Sequence, residues 1–341
     1  MIPTYLDENA VRESLTDDEV YEIVQSTLRA LHEGTAIPGP KAGFGVQVGG
    51  DNRYIGTVSG CILASNAAGV KWFMTSDRSA NRGLPRVPAT ILICDARTGQ
   101  LAGVLDATRL TSLRTAAMAV ACSLQVSKTQ VLPKVAIIGA GTVGTEVARY
   151  FAQSGRVARI AVAARSAAAV HRASTAIQAV ANERVQVQGT IDVRAAVSDA
   201  EIVVTATSVP NDMTLVEHQW LSPDAIICTL GSHREIDLQI IHEAAHILVD
   251  DPDGSQRRGN LAGELKSGVI AIDRLSNVGE LMANRWRPTR PGRVLLALVG
   301  IGVLDVALGA QALANARGNG RGLPLLTRLA SQGLVPANRD R

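Results

Sequence analysis

The sequence predicts an α/β fold with a doubly wound parallel sheet and an additional α+β domain. The first observation is a change of pattern at Val131. Before it, short apolar runs are separated by Gly, Asn, Asp and Pro, and after it strands and helices alternate. The second observation is a glycine-rich turn at residues 139–144, directly after a strand and before a helix. A chain of 341 residues is long enough for two such domains.

The composition limits the possible classes of function. Apolar residues make up 46% of the chain and aromatic residues 3%, so the cores are built from Ala, Val, Leu and Ile. Basic residues number 34 and acidic residues 31, and this balance argues against a nucleic-acid partner. The four cysteines are far apart and the six histidines form no cluster with ligand spacing. We therefore expect reduced thiols, a cytoplasmic location and no metal.

Two features argue against contact with a membrane. The N-terminal sequence has neither a basic start nor an apolar signal core. Residues 294–313, VLLALVGIGVLDVALGAQAL, are long enough to cross a bilayer but carry Asp305 near their middle. A central Asp costs about 2.5–3.5 kcal/mol on insertion scales. We predict a buried strand, a glycine turn and a helix for this segment.

The elements before Val131 predict helices around a sheet. Residues 16–33 have apolar positions at helical spacing behind a Thr-Asp-Asp start, and Gly34 can end this helix. The Ala- and Leu-rich run 108–126 predicts a second helix. The strand-like runs between them predict a mostly antiparallel or mixed sheet; they are 42–48, 53–60, 69–74, 89–95 and 101–106.

The elements after Val131 predict a parallel sheet. Nearly continuous apolar β runs alternate with helical or loop segments, which is typical of strands buried on both faces. The β runs are 131–138, 157–166, 184–190, 201–209, 224–232, 246–251 and 268–275. The polar, Gly-rich residues 314–341 either are mobile or return to the first domain.

The glycine turn predicts a dinucleotide site. GAGTVG follows the strand KVAII and opens the helix TEVARYFAQ. Gly139 makes the tight turn, and Gly141 lets the backbone approach a pyrophosphate at the helix N-terminus, where Thr142 and Val143 follow. Gly144 allows close packing of helix and strand. We therefore predict a Rossmann-type domain that binds NAD(P).

The end of the second strand of this domain bears on the choice of cofactor. An Asp or Glu for the ribose 2′-hydroxyl is missing, and the strand ends Ala163-Ala164-Arg165-Ser166. Arg165 stands where a 2′-phosphate is bound, which slightly favours NADP. If a loop residue contacts the ribose and Arg165 is only solvated, the site would bind NAD instead. Thr207 and Ser208, after a later strand, are expected to line the nicotinamide side.

Three motifs resemble the ornithine cyclodeaminase/mu-crystallin family over about residues 15–315. They are Lys71 in AAGVKW, Arg114 in LTSLRTAA and the glycine turn at Gly139. Within the family, IPGPK, RGLPR, ILVDD and VGIGVLDVAL resemble the N-(2-amino-2-carboxyethyl)-L-glutamate dehydrogenases. Those enzymes release 2,3-diaminopropionate and 2-oxoglutarate for siderophore and peptide-antibiotic pathways.

The resemblance implies a domain division and a set of substrate ligands. Residues 1–128 and 312–341 would form a substrate-binding and dimerisation domain, and residues 129–311 the NAD(P)-binding domain. Lys71 and Arg114 would hold the amino-acid carboxylate beside the nicotinamide, with Arg114 also contacting the cofactor. Lys41 and Arg86 are the further substrate ligands that it implies. The loop from Lys71 to Arg86 would then be an anion clamp at the domain cleft, and Arg82 within this loop is expected to face solvent.

One segment departs from the family pattern. Ornithine cyclodeaminases place an acid/base aspartate shortly after the Gly-Gly that ends a late strand, whereas CTLGSHREID has Gly231, Ser232 and His233 there. Ornithine cyclisation is therefore disfavoured. His233 is a candidate general base, because its unperturbed pKa of about 6.5 suits neutral pH, and it is equally a candidate loop histidine. Gly231 is expected to face the cofactor.

The predicted reaction is an opine-type oxidation at a CH–NH group. Hydride passes to the nicotinamide, and the resulting imine is hydrolysed to an oxo acid and an amine. The expected substrate is N-(2-amino-2-carboxyethyl)-L-glutamate or a close analogue. The alternatives are a ketimine reductase, another amino-acid dehydrogenase or cyclodeaminase of the family, and a non-catalytic NADP(H)-binding protein. The expected partners are this small anionic substrate and a second copy in a homodimer.

Overall fold

The computed structural model describes residues 2–76, 83–127, 129–209 and 211–325. The strands in these residues are β1 (Thr4–Leu6), β2 (Ala36–Pro38), β3 (Ala42–Val48), β4 (Asp51–Ile62), β5 (Ala67–Ser76), β6 (Ala89–Asp95), β7 (Leu101–Asp106), β8 (Val135–Ile138), β9 (Arg159–Ala163), β10 (Gln186–Thr190), β11 (Ile202–Thr205), β12 (Ile226–Thr229), β13 (His246–Val249), β14 (Leu275–Asn277), β15 (Val294–Ala297) and β16 (Leu323–Pro324). The helices are α1 (Glu8–Ser14), α2 (Asp17–His32), α3 (Thr108–Val126), α4 (Thr142–Gln153), α5 (Ala167–Gln178), α6 (Val193–Val197), α7 (Leu238–Glu243), α8 (Pro252–Ser255), α9 (Ala262–Lys266), α10 (Val278–Met282) and α11 (Gly302–Gly318).

The chain divides into two compact units. The first unit contains Met1–Glu19, Ile37–Thr111 and Gly302–Arg341, and the second contains Val20–Ala36 and Ser112–Ile301. Most of α2 and α3 therefore belongs to the second unit, whereas the predicted domains assigned both helices to the first. One reason is packing on α4, where the Tyr21 and Tyr150 rings stack with their centroids 5.9 Å apart.

The first unit is built on a mixed sheet of eight strands in the order β16-β1-β7-β6-β5-β4-β2, with β3 paired to β4. Strands β3 to β7 pair antiparallel with their neighbours. Strand β1 runs parallel to β7, and β16 pairs antiparallel with β1. The chain therefore returns to the first unit at Gly302, where α11 begins, and β16 stays in it. For residues 314–325, the described part of the tail, this is one of the two predicted outcomes.

Helix α11 packs on one face of this sheet. Glycines in the facing strands make room for it: a Cβ on Gly60 would lie 2.7 Å from Val303 Cγ1, and a Cβ on Gly69 3.3 Å from Val306 Cγ2. The helix is apolar around most of its circumference, and Asp305 within it is fully buried. The predicted strand, glycine turn and helix are thus confirmed as β15, Gly300 (φ +82°) and α11. Among the residues described, no helix is long and apolar enough to cross a membrane.

The second unit is a parallel sheet of eight strands in the order β10-β9-β8-β11-β12-β15-β13-β14. All residues of β8, β11, β12 and β15 are buried, as expected for strands covered on both faces. The strand order reverses between β8 and β11, which creates a topological switch point. This architecture confirms the predicted doubly wound sheet. The β run predicted at 268–275 is wrong, because a 3₁₀ turn (Ile272–Arg274) precedes a strand limited to Leu275–Asn277.

Candidate cofactor and substrate site

The glycine turn lies between β8 and α4, at the switch point. Gly139 has φ +119°, a conformation that favours glycine, and a Cβ on Gly144 would overlap the Gly139 carbonyl oxygen. A Cβ on Gly141 would meet no atom within 4 Å. Gly141 and Thr142, the first residue of α4, are exposed, and Val143 is half-buried. This open turn at a helix N-terminus fits the pyrophosphate of a dinucleotide.

The residues after β9 lie at the same edge of the sheet. The Ser166 hydroxyl accepts a hydrogen bond from Ala169 N at 3.3 Å and so caps α5. Arg165, the residue before it, is exposed. Ser166 therefore has a structural role in the helix, and the proposed contacts of both residues with the adenosine ribose stay predictions.

Glu235 links the ends of β11 and β12, which the sequence did not reveal. Its side chain is fully buried. Its Oε1 accepts hydrogen bonds from Thr207 N at 2.9 Å and from the Thr207 hydroxyl. Its Oε2 accepts from Thr205 Oγ1 at 2.8 Å and from Gly231 N at 3.2 Å. Burial raises the pKa of Glu235, and the hydrogen bonds from Thr207, Thr205 and Gly231 oppose this.

The predicted nicotinamide-side residues lie around this carboxylate. A Cβ on Gly139 would lie 3.3 Å from Thr207 Cγ2, so Thr207 lies beside the glycine turn. Ser208 follows it and is exposed. Gly231 is buried, and a Cβ there would overlap the Glu235 carboxylate. The carboxyl ends of β8, β11 and β12 therefore come together around an acidic residue that the sequence did not single out, and contacts of Thr207, Ser208 and Gly231 with a nicotinamide stay predictions.

His233 lies on the loop after β12. Asn260 holds this loop, because its Oδ1 accepts from Glu235 N at 2.7 Å and its Nδ2 donates to the His233 carbonyl at 3.3 Å. The His233 side chain is 45% exposed, and its Nδ1 lies 3.9 Å from Asp212 Oδ1. A role for His233 as general base stays a prediction.

Arg114 contacts the turn after β15. It is 8% exposed, and a Cβ on Gly300 would lie 2.6 Å from Arg114 Nη1. Asp250 holds this turn by accepting hydrogen bonds from Val299 N at 2.8 Å and Gly300 N at 2.6 Å. Arg258 Nη2 donates to the Gly300 carbonyl at 3.2 Å. Burial raises the pKa of Asp250, and the two backbone hydrogen bonds oppose this.

Lys71 forms a buried ion pair in the first unit. It is 2% exposed, and its Nζ donates to Asp305 Oδ1 at 2.8 Å and to Thr111 Oγ1 at 3.2 Å. Lys71 is therefore not a solvated lysine, and its predicted contact with a substrate carboxylate stays a prediction. Asp305 is the single charged residue in the apolar segment 294–313. Because a buried charge needs a partner, this was the signal in the sequence for an ion pair at Asp305.

Lys41 and Lys71 approach the same aromatic ring. Lys41 Nζ lies 5.0 Å and Lys71 Nζ 5.7 Å from the centroid of Phe73, and Lys41 Nζ is also 5.7 Å from the Tyr54 ring. These distances are in the range of cation–π interactions. The structure thus brings two of the predicted substrate cations together within the first unit.

The remaining cations of the predicted clamp follow β5. Arg86 is exposed, and its backbone carbonyl accepts from Ser76 N at 3.3 Å. Arg82, which we expect to face solvent, lies outside the described residues. The role of Arg86 toward a substrate stays a prediction.

A glycine turn at the switch point of a doubly wound parallel sheet defines a Rossmann-type nucleotide-binding protein. The profile of the Ornithine cyclodeaminase/mu-crystallin family matches residues 3–316, and the chain belongs to that family. This membership confirms the predicted family and the predicted class, an NAD(P)-dependent oxidoreductase.

Several curated proteins are similar to this chain. A Delta(1)-pyrroline-2-carboxylate reductase of Paracoccus denitrificans is 26% identical over 280 residues, covering 79% of this chain and 82% of the relative. An alanine dehydrogenase of Archaeoglobus fulgidus is 24% identical over 327 residues, 91% and 94% of the two chains. The N-((2S)-2-amino-2-carboxyethyl)-L-glutamate dehydrogenase of Staphylococcus aureus is 25% identical over 252 residues, 70% and 72% of the two chains.

Solved structures share the fold along nearly the whole chain. The Delta(1)-pyrroline-2-carboxylate reductase of Thermococcus litoralis, in complex with NADH and L-proline, has a TM-score of 0.83 at 20% identity. It covers 94% of this chain and 100% of that one. An archaeal alanine dehydrogenase dimer with bound NAD has a TM-score of 0.84 at 21% identity, covering 96% and 99%. These likenesses confirm the predicted fold class.

Proposed function

We propose that the protein oxidises the secondary amine of N-(2-amino-2-carboxyethyl)-L-glutamate or a close analogue. The products are 2,3-diaminopropionate and 2-oxoglutarate. The observation that carries this proposal is the approach of Lys41 and Lys71 to one ring, that of Phe73, at 5.0 and 5.7 Å. Two ammonium groups so placed offer N–H donors to an anion, and a substrate with several carboxylates needs such charge-assisted hydrogen bonds when it leaves water. The relative from Staphylococcus aureus carries the name of this activity.

The cofactor in this proposal is a nicotinamide dinucleotide bound at the glycine turn. The open backbone at Gly141 supports this, and the exposed Arg165 slightly favours NADP over NAD. When bound, the nicotinamide accepts hydride from the carbon that carries both the nitrogen and a carboxylate. Thr207 and Gly231, held by Glu235, would line its pocket.

The proposed roles of the basic residues follow from their chemistry. Lys71 and Arg114 bind the carboxylate next to the reacting carbon, which orients that carbon for hydride transfer. The Asp305 carboxylate, 2.8 Å from Lys71 Nζ, partly offsets the cost of burying the ammonium. Either His233, or Lys71 once it has given up a proton of its own, takes the amine proton or activates the water that hydrolyses the imine.

A ketimine reductase is the second candidate function. The Lys71–Asp305 ion pair supports it, because the carboxylate cancels one of the two positive charges near Phe73. A site with less net positive charge suits a cyclic imine with a single carboxylate. The relative from Paracoccus denitrificans is named for such a substrate.

The proposed protein is a cytoplasmic homodimer. Phe44, Trp72 and Leu92 are 61%, 41% and 37% exposed. Their register places them on the sheet face opposite to Lys71 and α11. A second copy covering this apolar face would remove it from water. We expect Trp72→Lys to convert the dimer to a monomer in light-scattering measurements, and a dimer that persists would exclude this face.

The first experiment measures absorbance of reduced nicotinamide with NAD⁺ or NADP⁺ and N-(2-amino-2-carboxyethyl)-L-glutamate. Ornithine, proline and glutamate are tested in parallel. The opine-type reaction predicts reduced cofactor with the first substrate only, together with 2-oxoglutarate. It also predicts that Lys41→Met raises the KM of this substrate more than that of a monocarboxylate. Activity limited to the reduction of a cyclic imine would instead establish the ketimine reductase.

A further inference from the structure

We propose that Glu235 places a buried negative charge beside the nicotinamide and thereby favours binding of the oxidised cofactor over the reduced one. The inference rests on the proposed dinucleotide site. It does not depend on which substrate the protein uses.

The first step is the position of Glu235 in the sheet. In a doubly wound fold the pyrophosphate lies at the switch point, and the two halves of the dinucleotide lie over the strands on either side. Here the glycine turn follows β8, so the adenosine half lies toward β9 and the nicotinamide half toward β11 and β12. Glu235 accepts hydrogen bonds from Thr205, the last residue of β11, and from Thr207 and Gly231, each two residues beyond the end of β11 or β12. Thr207 in turn lies against Gly139 of the glycine turn.

The second step is the charge of the side chain. Each carboxylate oxygen of Glu235 accepts one backbone N–H, from Thr207 or Gly231, and one threonine hydroxyl. A backbone N–H only donates, so the ionised form satisfies all four donors. None of the ion pairs formed within the described residues includes Glu235. The negative charge is therefore held by neutral dipoles and stays available to a nearby cation.

The third step is the difference between the two cofactor forms. The oxidised nicotinamide ring carries a positive charge, and the reduced ring is neutral. In a site shielded from water, a fixed negative charge attracts the first form and not the second. The threonine hydroxyls and the Gly231 amide hold the carboxylate in place, so it does not have to reorganise when the cofactor binds.

The test measures dissociation constants by calorimetry without substrate, for NAD⁺, NADH, NADP⁺ and NADPH. We expect Glu235→Gln to raise the ratio of the oxidised to the reduced dissociation constant by about tenfold. Glu235→Asp keeps the charge and should leave the ratio within about twofold, even where both affinities fall. Asp250→Asn, the matched control, removes another buried carboxylate of the same unit and should also leave the ratio unchanged.

An unchanged ratio in Glu235→Gln, or an equal change in Asp250→Asn, would overturn the inference. Circular dichroism shows whether each variant folds. If Glu235→Gln does not fold, the wild-type protein decides: we expect it to bind the oxidised form at least as tightly as the reduced form. A tenfold preference for the reduced form would overturn the proposal. A wild-type protein that binds neither form would refute the dinucleotide site itself, an outcome distinct from an unchanged ratio.

Discussion

The substitution Asp305→Asn tests the buried ion pair of the first unit. It keeps the shape of the side chain and removes its negative charge. Lys71 is then a buried ammonium, 2% exposed, that has lost its carboxylate partner, while Thr111 Oγ1 still accepts at 3.2 Å. We expect the folded state to be destabilised, because removing one partner of a buried ion pair is costly.

The expected magnitude follows from the geometry. Two unit charges 2.8 Å apart attract by roughly 6 kcal/mol at an effective dielectric constant of about 20. Removing one partner of a buried ion pair typically costs about 3–5 kcal/mol, since part of the attraction only offsets desolvation. We therefore expect Asp305→Asn to lower the free energy of unfolding by about 3–5 kcal/mol. The double variant Lys71→Met with Asp305→Leu should recover most of this loss, because it removes both charges of the pair.

The assay is urea unfolding followed by circular dichroism, with the m-value compared between variants. The matched control is the exposed ion pair of Arg321 and Glu13, at 3.0 Å, with side chains 43% and 52% exposed. Glu13→Gln should change the unfolding free energy by no more than about 0.5 kcal/mol. A loss below about 1 kcal/mol in Asp305→Asn would refute the argument, because Lys71 would then be solvated or neutral in the folded protein.

Three further predictions concern the second unit. A Cβ on Gly141 meets no atom within 4 Å, whereas one on Gly144 overlaps the turn itself. We therefore expect Gly141→Ala to keep the wild-type Tm but lose cofactor affinity, and Gly144→Ala to lower both, as measured by calorimetry and thermal unfolding. Gly300 has φ +82°, and a Cβ added there would lie 2.6 Å from Arg114 Nη1. Because Arg114 is a proposed substrate ligand, we expect Gly300→Ala to raise the substrate KM in steady-state kinetics. Burial raises the pKa of Asp250, so its carboxyl group binds a proton more tightly in the folded state than in the unfolded chain. The contribution of Asp250 to the free energy of unfolding therefore falls as the pH rises from about 4 through the raised pKa. Urea midpoints over this range should show a slope that Asp250→Asn removes.

Each of these outcomes has a clear opposite. Wild-type cofactor affinity in Gly141→Ala would mean that the pyrophosphate does not approach the glycine turn. An unchanged KM in Gly300→Ala would mean that the turn after β15 does not affect substrate binding. A pH slope that survives in Asp250→Asn would belong to other titrating groups.

Much of the fold depends on signals that are local in the sequence. Helix α2 begins with a capping box in which Thr16 Oγ1 accepts from Glu19 N, and Glu19 Oε2 accepts from Thr16 N. Gly34 follows its end with φ +72°. The glycine turn and its flanking strand and helix were likewise predictable, because backbone conformation depends on residues a few positions apart. The run at 268–275 failed because apolar content alone does not distinguish a strand from an exposed turn, and Val269 and Ile272 are 59% and 49% exposed.

The sequence by itself determined the parallel sheet, the glycine turn and the basic residues available to bind anions. Only the tertiary structure decided their partners. Lys71 and Asp305 are 234 positions apart, and Glu235 joins residues 4 to 30 positions away across two strand ends. The packing of α2 and α3 with the second unit was decided in the same way. The physical reason is that a buried charge or polar group takes its partner from whatever side chains packing brings near it, and chain order does not encode that choice.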